Sequence, residues 1–374
     1  MNLDFTTEQK LIKDEALKFL KKESPFERVK EIEETEEGYC RKTWKKMAEL
    51  GWLGLSIPEQ HGGEGGQFLD MVILLEEMGR AAFPGPYFST IAQCALIIIE
   101  GGSEEQKKQL LPEIAEGKLI MGLAQYEEDG SFYPDDIRMK AELEGDQYNL
   151  NGTKMFAMDA NISSKLIVAV NTGEEQLSLL LVDTSHPGLT ITKMPTIGMD
   201  NCCEVVFKNV GTAKGNLIGS PGNGKEILER MNAKAMLLKS AEMIGASKAC
   251  IDMTVDFAKQ RVQYGKPIGG FQIIQHYMAN MQLEYDTCYN YLYRTACMVE
   301  EGGKFERDAS AVKACTNEAY KFISERGVQI FGGIGTTREG DVGLFFRKAK
   351  SAEVVCGNTE YLNEKVFASL LQEI

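Results

Sequence analysis

The residues best suited to chemistry lie in the last third of the chain. Gly332, Gly333 and Gly335 cluster in the stretch Gly327-Val-Gln-Ile-Phe-Gly-Gly-Ile-Gly335. Glycine lets the backbone approach a bound group closely, and successive backbone N–H groups can face a pyrophosphate. Arg261, in Gln260-Arg-Val-Gln-Tyr-Gly265, offers a fixed positive charge for the same anion. Taken singly, each glycine run reads equally as a helix end or a tight turn. Metal chemistry has no comparable signal. The nine cysteines include the adjacent pair Cys202 and Cys203 but no CxxC and no paired Cys/His spacing. His61 falls in a Gly-rich loop, His186 in a Pro-Gly turn and His276 on an expected helix, and none is assigned a role.

The elements that must position these residues change in character along the 374-residue chain, which is long enough for two or three packed units. Residues 1–118 read as an N-terminal helical domain. Apolar residues recur near a 3.6 period over 8–20, and shorter helices are expected over 43–50 and 68–78. Gly62, Gly63, Gly65 and Gly66 mark a loop. An apolar, buried helix is expected over 90–100, and a capping box at Ser103 with Gln106 opens a helix over 103–114. Residues 119–220 read as a middle β-domain, an antiparallel barrel or sandwich. Its β-rich runs are 166–170, 178–182, 189–193 and 204–207, with turns at Gly145-Asp146 and Asn151-Gly152. Residues 221–374 read as a C-terminal four-helix bundle, with helices over 226–261, 271–298 and 308–331 and a broken fourth over 342–371. The class is α+β, mainly α.

The formal net charge of −14 repels phosphate backbones, so nucleic acid is not an expected partner. No apolar run reaches the roughly 18–20 residues a membrane span requires. Nine cysteines without a disulfide framework read as reduced thiols in a cytoplasm.

Several stretches, in order, resemble the acyl-CoA dehydrogenase family. Leu53-Gly-Leu-Ser-Ile-Pro58 and the Gly-rich loop after it look like its N-terminal signature. Gln260-Arg-Val-Gln-Tyr-Gly265 with Gln272 resembles "R-x-x-F-G … Q", Tyr264 standing for Phe. The run from Gln329 to Gly335 matches "Q-x-x-G-G-x-G", and Asn151-Gly-Thr-Lys154 matches "N-G-x-K". The resemblance implies that family's three-part fold, FAD as cofactor, an acyl-CoA thioester as substrate and an electron-transfer flavoprotein as electron acceptor. It also implies a homo- or hetero-tetramer in which two chains share each flavin. Arg261, Tyr264, Gln272, Gln329, Gly332, Gly333 and Gly335 would then reach a neighbour's FAD. Tyr126, Phe156 and Met158 of the β-domain would face the chain's own flavin ring.

The β-domain departs from the family pattern. "T-E-P-x-A-G-S-D" reads Tyr126-Glu-Glu-Asp-Gly-Ser-Phe-Tyr133 here, and "K-x-W-I-T-N" reads Lys154-Met-Phe-Ala-Met-Asp159. Phe156 keeps an aromatic wall, whereas Met158 replaces a hydrogen-bonding Thr. The base departs as well. Removing a proton alpha to a thioester suits a desolvated carboxylate, and the family's usual Glu lies in "Y-E-G-T". The matching segment is Val355-Cys-Gly-Asn358, which puts Cys356 at that position; an alternative family position is Ala235. Glu242, seven residues on and on the same helical face, is the remaining candidate base. It reads more readily as the ion-pair partner of Lys239. Cys356 reads as base, nucleophile or small buried hydrophobe. Pro84-Gly-Pro-Tyr-Phe88 resembles a segment of the bulky-substrate branch. The expected function is acyl-CoA dehydrogenation, α,β or vinylogous, with an atypical base. The alternative is a non-catalytic subunit that completes a partner's FAD site.

Overall fold

The structure, a computed structural model, describes residues 5–173 and 176–372. The expected limits at residues 1 and 374 therefore lie outside the described residues. Helices α1 (Thr7–Glu23), α2 (Phe26–Glu33), α3 (Arg41–Glu49) and α4 (Phe68–Arg80) open the chain. A π-helical segment, Phe88–Ala95, runs into α5 (Leu96–Gly101), and α6 (Glu104–Ala115) follows. The expected capping box at Ser103 is present: Ser103 Oγ accepts from the Gln106 N–H and Gln106 Oε1 accepts from the Ser103 N–H. The apolar helix expected over 90–100 is instead π-wound for its first two turns, a winding that recurs at functional sites. The short helix α2 had no counterpart among the expected elements. Five of its eight residues are charged, so it carries little apolar period.

Two four-stranded sheets follow. One has the order β1 (Met121–Ala124), β4 (Lys165–Asn171), β5 (Leu177–Asp183), β8 (Leu217–Ile218). The other has β2 (Ala141–Glu144), β3 (Gln147–Met158), β7 (Cys202–Ala213), β6 (Leu189–Met194). Their inner faces meet around Leu150, Leu166, Val168, Leu180, Val205 and Phe207. The pair β1–β4 is parallel, unlike the all-antiparallel expectation. Gly145-Asp146 is a hairpin turn, but Asn151-Gly152 is not a turn. It is a bulge within β3, where the register against β7 slips between Leu150 and Gly152. Gly152 has φ 144°, and Asn151 Oδ1 accepts from the Asn209 N–H at 2.8 Å, so the side chain takes over a ladder bond the bulge loses.

Helix α7 (Gly224–Gln260) crosses the molecule and packs on α4. The two come unusually close because Gly79 and Gly245 face each other's backbone: a Cβ at either would collide with the carbonyl of Glu242 or of Glu76. A hairpin, β9 (Val262–Gln263) and β10 (Lys266–Pro267), leads to α8 (Gln272–Glu300) and α9 (Glu306–Phe331). The broken last helix resolves into α10 (Val342–Glu353) and α11 (Thr359–Leu371). Phe257 stacks on Phe331, ring centroids 4.1 Å apart and 13° from parallel, which brings the ends of α7 and α9 together. Lys313 on α9 is fully buried. It donates to Asn317 Oδ1 at 2.5 Å and to the carbonyls of Ala352 and Glu353 at 3.1 and 3.2 Å, anchoring the end of α10 just ahead of Cys356. Burial pushes its pKa down to about 7.

Candidate functional site

A cleft of about 410 Å³ opens between the β-domain and the segment joining α10 to α11. Tyr126, Phe156 and Met158 form its β-domain side, as expected, and Val354, Val355 and Cys356 its helical side. Phe156 and Cys356 both hold left-handed backbone, φ 57° and 62°. So do Asp159 and Met199 beside them, φ 57° and 55°. For residues other than glycine this costs on the order of 1–3 kcal/mol each and gathers at functional sites. The strain aims the Phe156 ring outward, 44% exposed, facing an equally uncovered Val354 and Ile197. Three bare apolar side chains around one cleft are a surface built to be covered by a flat apolar group. At the rim, Phe132 packs between Tyr126 and Tyr361, at 5.7 and 5.3 Å, and Tyr133 stands edge-on to Tyr361 at 4.8 Å.

The polar furniture of the cleft is sparse. The Tyr126 hydroxyl faces the backbone N–H of Cys356 and so belongs to the scaffold. The Cys356 thiol is buried, which pushes it up to about 11 despite the pull of Lys313 and Lys239. Burial thus favours the neutral thiol, in keeping with a small buried hydrophobe. Lys154, of the Asn-Gly-Thr-Lys motif, is buried and paired with Glu127 at 2.7 Å, holding the strand behind the cleft. Among the described residues the single carboxylate bordering the cleft is Asp200, which sequence reasoning missed. It sits in the loop between β6 and β7, accepts the Ser351 hydroxyl and lies 3.9 Å from the Lys348 ammonium. No motif surrounds it; only folding brings this loop to the end of α10.

Glu242 lies elsewhere. It borders a smaller chamber behind the cleft, between α4, α7 and the β-domain, and accepts from Lys239 at 2.6 Å. The ion pair with Lys239 is thus formed, and Glu242 does not border the cleft. Met158 and Asp200 border both cavities. Asp159, where the family motif has Asn, is buried in the chamber wall and accepts from Ser89 at 2.6 Å and from Asn201 at 3.3 Å.

Burial raises the Asp159 carboxyl from 3.8 to about 6, against those two hydrogen bonds. From about pH 4 to 6 the unfolded chain has released this proton while the folded chain keeps it. Stability therefore falls as pH rises through that window, and the deficit is complete above it. Asp159→Asn should remove the deficit. Its amide can donate to Ser89 Oγ, whose own proton remains free to bond the Pro86 carbonyl. The variant should be more stable than the parent at pH 7 by on the order of 2–3 kcal/mol, with the gap closing below about pH 4. Urea melts at both pH values measure it, and an unchanged or lower midpoint at pH 7 would refute the assignment.

The second expected group of residues gathers at the far end of the bundle. Arg261 caps α7, Tyr264 tips the following hairpin at 94% exposure, and Gln272 begins α8. Gln329, Gly332 and Gly333 stand exposed at the end of α9. None of them borders the cleft of their own chain. Gly332 needs glycine for its φ of 66°, but Gly333 has ordinary backbone and nothing within 4 Å of an added Cβ. No neighbour within the chain accounts for glycine at 333, whereas close approach of an outside group would. Gly335 differs: it is buried, and a Cβ there would meet Phe331 and Val328, so packing within the chain explains it. The Arg261 side chain has no partner among the described residues. An unpartnered guanidinium and an open glycine step each suit a pyrophosphate, and the apolar cleft suits a flavin ring. The residues present thus fit FAD in two pieces, held at two separate places on one chain.

Comparison with known proteins gives the family. Models of the acyl-CoA dehydrogenase N-terminal, middle and C-terminal domains match residues 6–118, 123–210 and 225–371. The chain is 30% identical to the probable acyl-CoA dehydrogenase YngJ of Bacillus subtilis, over 100% of both chains. It is 30% identical to bovine (Bos taurus) mitochondrial isovaleryl-CoA dehydrogenase, over 94% of this chain and 85% of that one. A chain in the solved structure of the electron transferring flavoprotein of Acidaminococcus fermentans superposes with a TM-score of 0.93 at 26% identity, covering 99% of this chain and 100% of that one.

Proposed function

We propose, from the premise that this chain belongs to the acyl-CoA dehydrogenase family and is an FAD-dependent oxidoreductase of acyl-CoA thioesters, that it dehydrogenates its substrate with Asp200 as proton acceptor. The observation that carries this is the position of Asp200 as the one described carboxylate bordering the cleft. When bound, FAD supplies the hydride acceptor. Phe156 would wall the flavin ring, and Met158 borders both cleft and chamber. Asp200 takes the proton released alpha to the thioester, or from a vinylogous carbon. Its contacts with Ser351 and Lys348 fix its direction. The aromatic cluster of Phe132, Tyr133 and Tyr361 keeps water from one side of the cleft. Glu242, one side chain further in, is the second candidate for the same proton.

The reading extends to assembly. Two chains share each flavin, one contributing the cleft and the other Arg261, Gln329, Gly332 and Gly333. Electrons pass on to an electron transferring flavoprotein, a partner suggested by the likeness to the Acidaminococcus chain. All nine cysteines are free, and no described helix is long and apolar enough to cross a membrane, in keeping with a place in the cytoplasm.

A second reading, a non-catalytic subunit of a mixed oligomer, is favoured by one observation: a neutral, buried thiol occupies the family's base position. Purification of the chain alone separates the two. Under the first reading the protein is yellow, holds about one flavin per chain, and bleaches with a suitable acyl-CoA in the absence of oxygen. A colourless protein that takes up flavin only beside a second polypeptide would replace the first reading with the second.

A further inference from the structure

The chamber behind the cleft has a volume of about 90 Å³, room for roughly three groups of the ~30 Å³ that a water molecule occupies in the liquid. A pocket meant for the end of a plain hydrocarbon chain would be lined with apolar side chains. Apolar side chains such as Leu75, Met78, Phe88 and Met243 make up much of this lining, but it also carries four carboxylates, Glu33, Asp159, Asp200 and Glu242, and two ammonium groups, Lys239 and Lys348. Most of them are satisfied within the chain. Lys348 pairs in charge with Glu33 Oε1 at 3.1 Å, though without hydrogen-bond geometry, Lys239 meets Glu242 at 2.6 Å, and Asp159 and Asp200 have the partners already described.

Two other polar groups are not satisfied. The Tyr320 hydroxyl, on a side chain 1% exposed, has no hydrogen-bond partner. The Asn201 side-chain carbonyl, 8% exposed, has none either, although its amide donates to the Glu37 carbonyl at 3.2 Å and to Asp159 at 3.3 Å. An unpaired buried polar group costs roughly 1–3 kcal/mol, and such groups call for a partner outside the chain. Both border this one small chamber.

The chemistry of that partner follows from the lining. Asn201 Oδ1 only accepts, so the partner must donate. Carboxylates outnumber ammonium groups four to two, or three to two when Asp159 holds its proton, so a terminal carboxylate would be repelled. We propose that the chamber receives the far end of the acyl group, and that this end carries an uncharged hydrogen-bond donor, a hydroxyl being the smallest, which donates to Asn201 and pairs with the Tyr320 hydroxyl. The inference rests on the acyl-CoA reading above and assigns the substrate class: acyl-CoA thioesters with a polar, hydroxylated tail.

The test is anaerobic calorimetric titration of the FAD-loaded protein with matched CoA thioesters, each ω-hydroxyacyl-CoA against the plain acyl-CoA of equal length, over a ladder of lengths. At the length that reaches the chamber the hydroxylated thioester should bind at least ~10-fold tighter. Tyr320→Phe removes an unpartnered oxygen, so it should melt no lower than the parent, and it should cut the preference to within about 3-fold. Equal affinity at every length, the result if the chamber merely holds water, overturns the inference and leaves the family function standing. An undiminished preference in Tyr320→Phe overturns it as well. Failure of every thioester to bind overturns it together with the reading on which it rests.

Discussion

Arg261→Glu should strip the protein of its flavin and leave the fold intact. The Arg261 backbone caps α7 through the Phe257 carbonyl at 2.8 Å, and any residue but proline can do that. The side chain has no partner among the described residues, so nothing inside the chain depends on it. Toward a pyrophosphate it offers charge-assisted hydrogen bonds worth roughly 1.5–3 kcal/mol each, and a glutamate there adds repulsion. FAD affinity should therefore fall by at least ~10²-fold, read as flavin per chain after gel filtration. Circular dichroism melts of the flavin-free forms of variant and parent should coincide. A variant that keeps its full flavin would refute the role given to Arg261. A variant that melts far below the parent without flavin would mean that the residue is structural.

Asp200→Asn should do the reverse, retaining flavin and losing turnover. The substitution keeps the shape that Ser351 contacts while removing the capacity to take a proton. A positioned base contributes typically ~10²–10⁴-fold, and kcat should fall by that order with FAD content unchanged. Glu242→Gln is the companion measurement. Glu242 lies in the chamber and not at the cleft, so its loss should change kcat by no more than a few-fold. If Glu242→Gln is the variant that loses turnover and Asp200→Asn is active, the two assignments are exchanged.

The fold was legible because its signals are local. The 3.6 period over α1, the capping box at Ser103 and the Gly145-Asp146 turn each speak for a few consecutive residues. Asn151-Gly152 misled because the pair that favours a hairpin turn also suits a bulge, and which one forms depends on how far β3 must run against β7. The site was half legible. Residues proposed to touch a cofactor through backbone or fixed charge, such as Gly333 and Arg261, carry a motif. Tyr126, just past β1, and Phe156 and Met158, on β3, were found because each lies in a stretch that aligns with a family pattern. Asp200, Asn201 and Tyr320 carry no such mark. The chamber draws on α2, α4, α7, α9, α10 and the β6–β7 loop, and no spacing along the chain encodes that meeting. The left-handed backbone at Phe156, Asp159, Met199 and Cys356 was likewise invisible, since none of these residues is glycine.

The central claim is that one chain's cleft and another chain's Arg261 complete a single flavin site, and complementation tests it most directly. Arg261→Glu spoils what a chain donates; Phe156→Asp, which puts a charge where the ring would lie, spoils what it receives. Each variant alone should be colourless. In a two-fold pairing, a mixed pair contains one site built from the two undamaged halves, so random co-assembly of the two variants should recover about a quarter of the parent's flavin per chain. Persistent absence of flavin in the mixture, alongside full flavin in the parent, would place both halves of the site on one chain and contradict the claim.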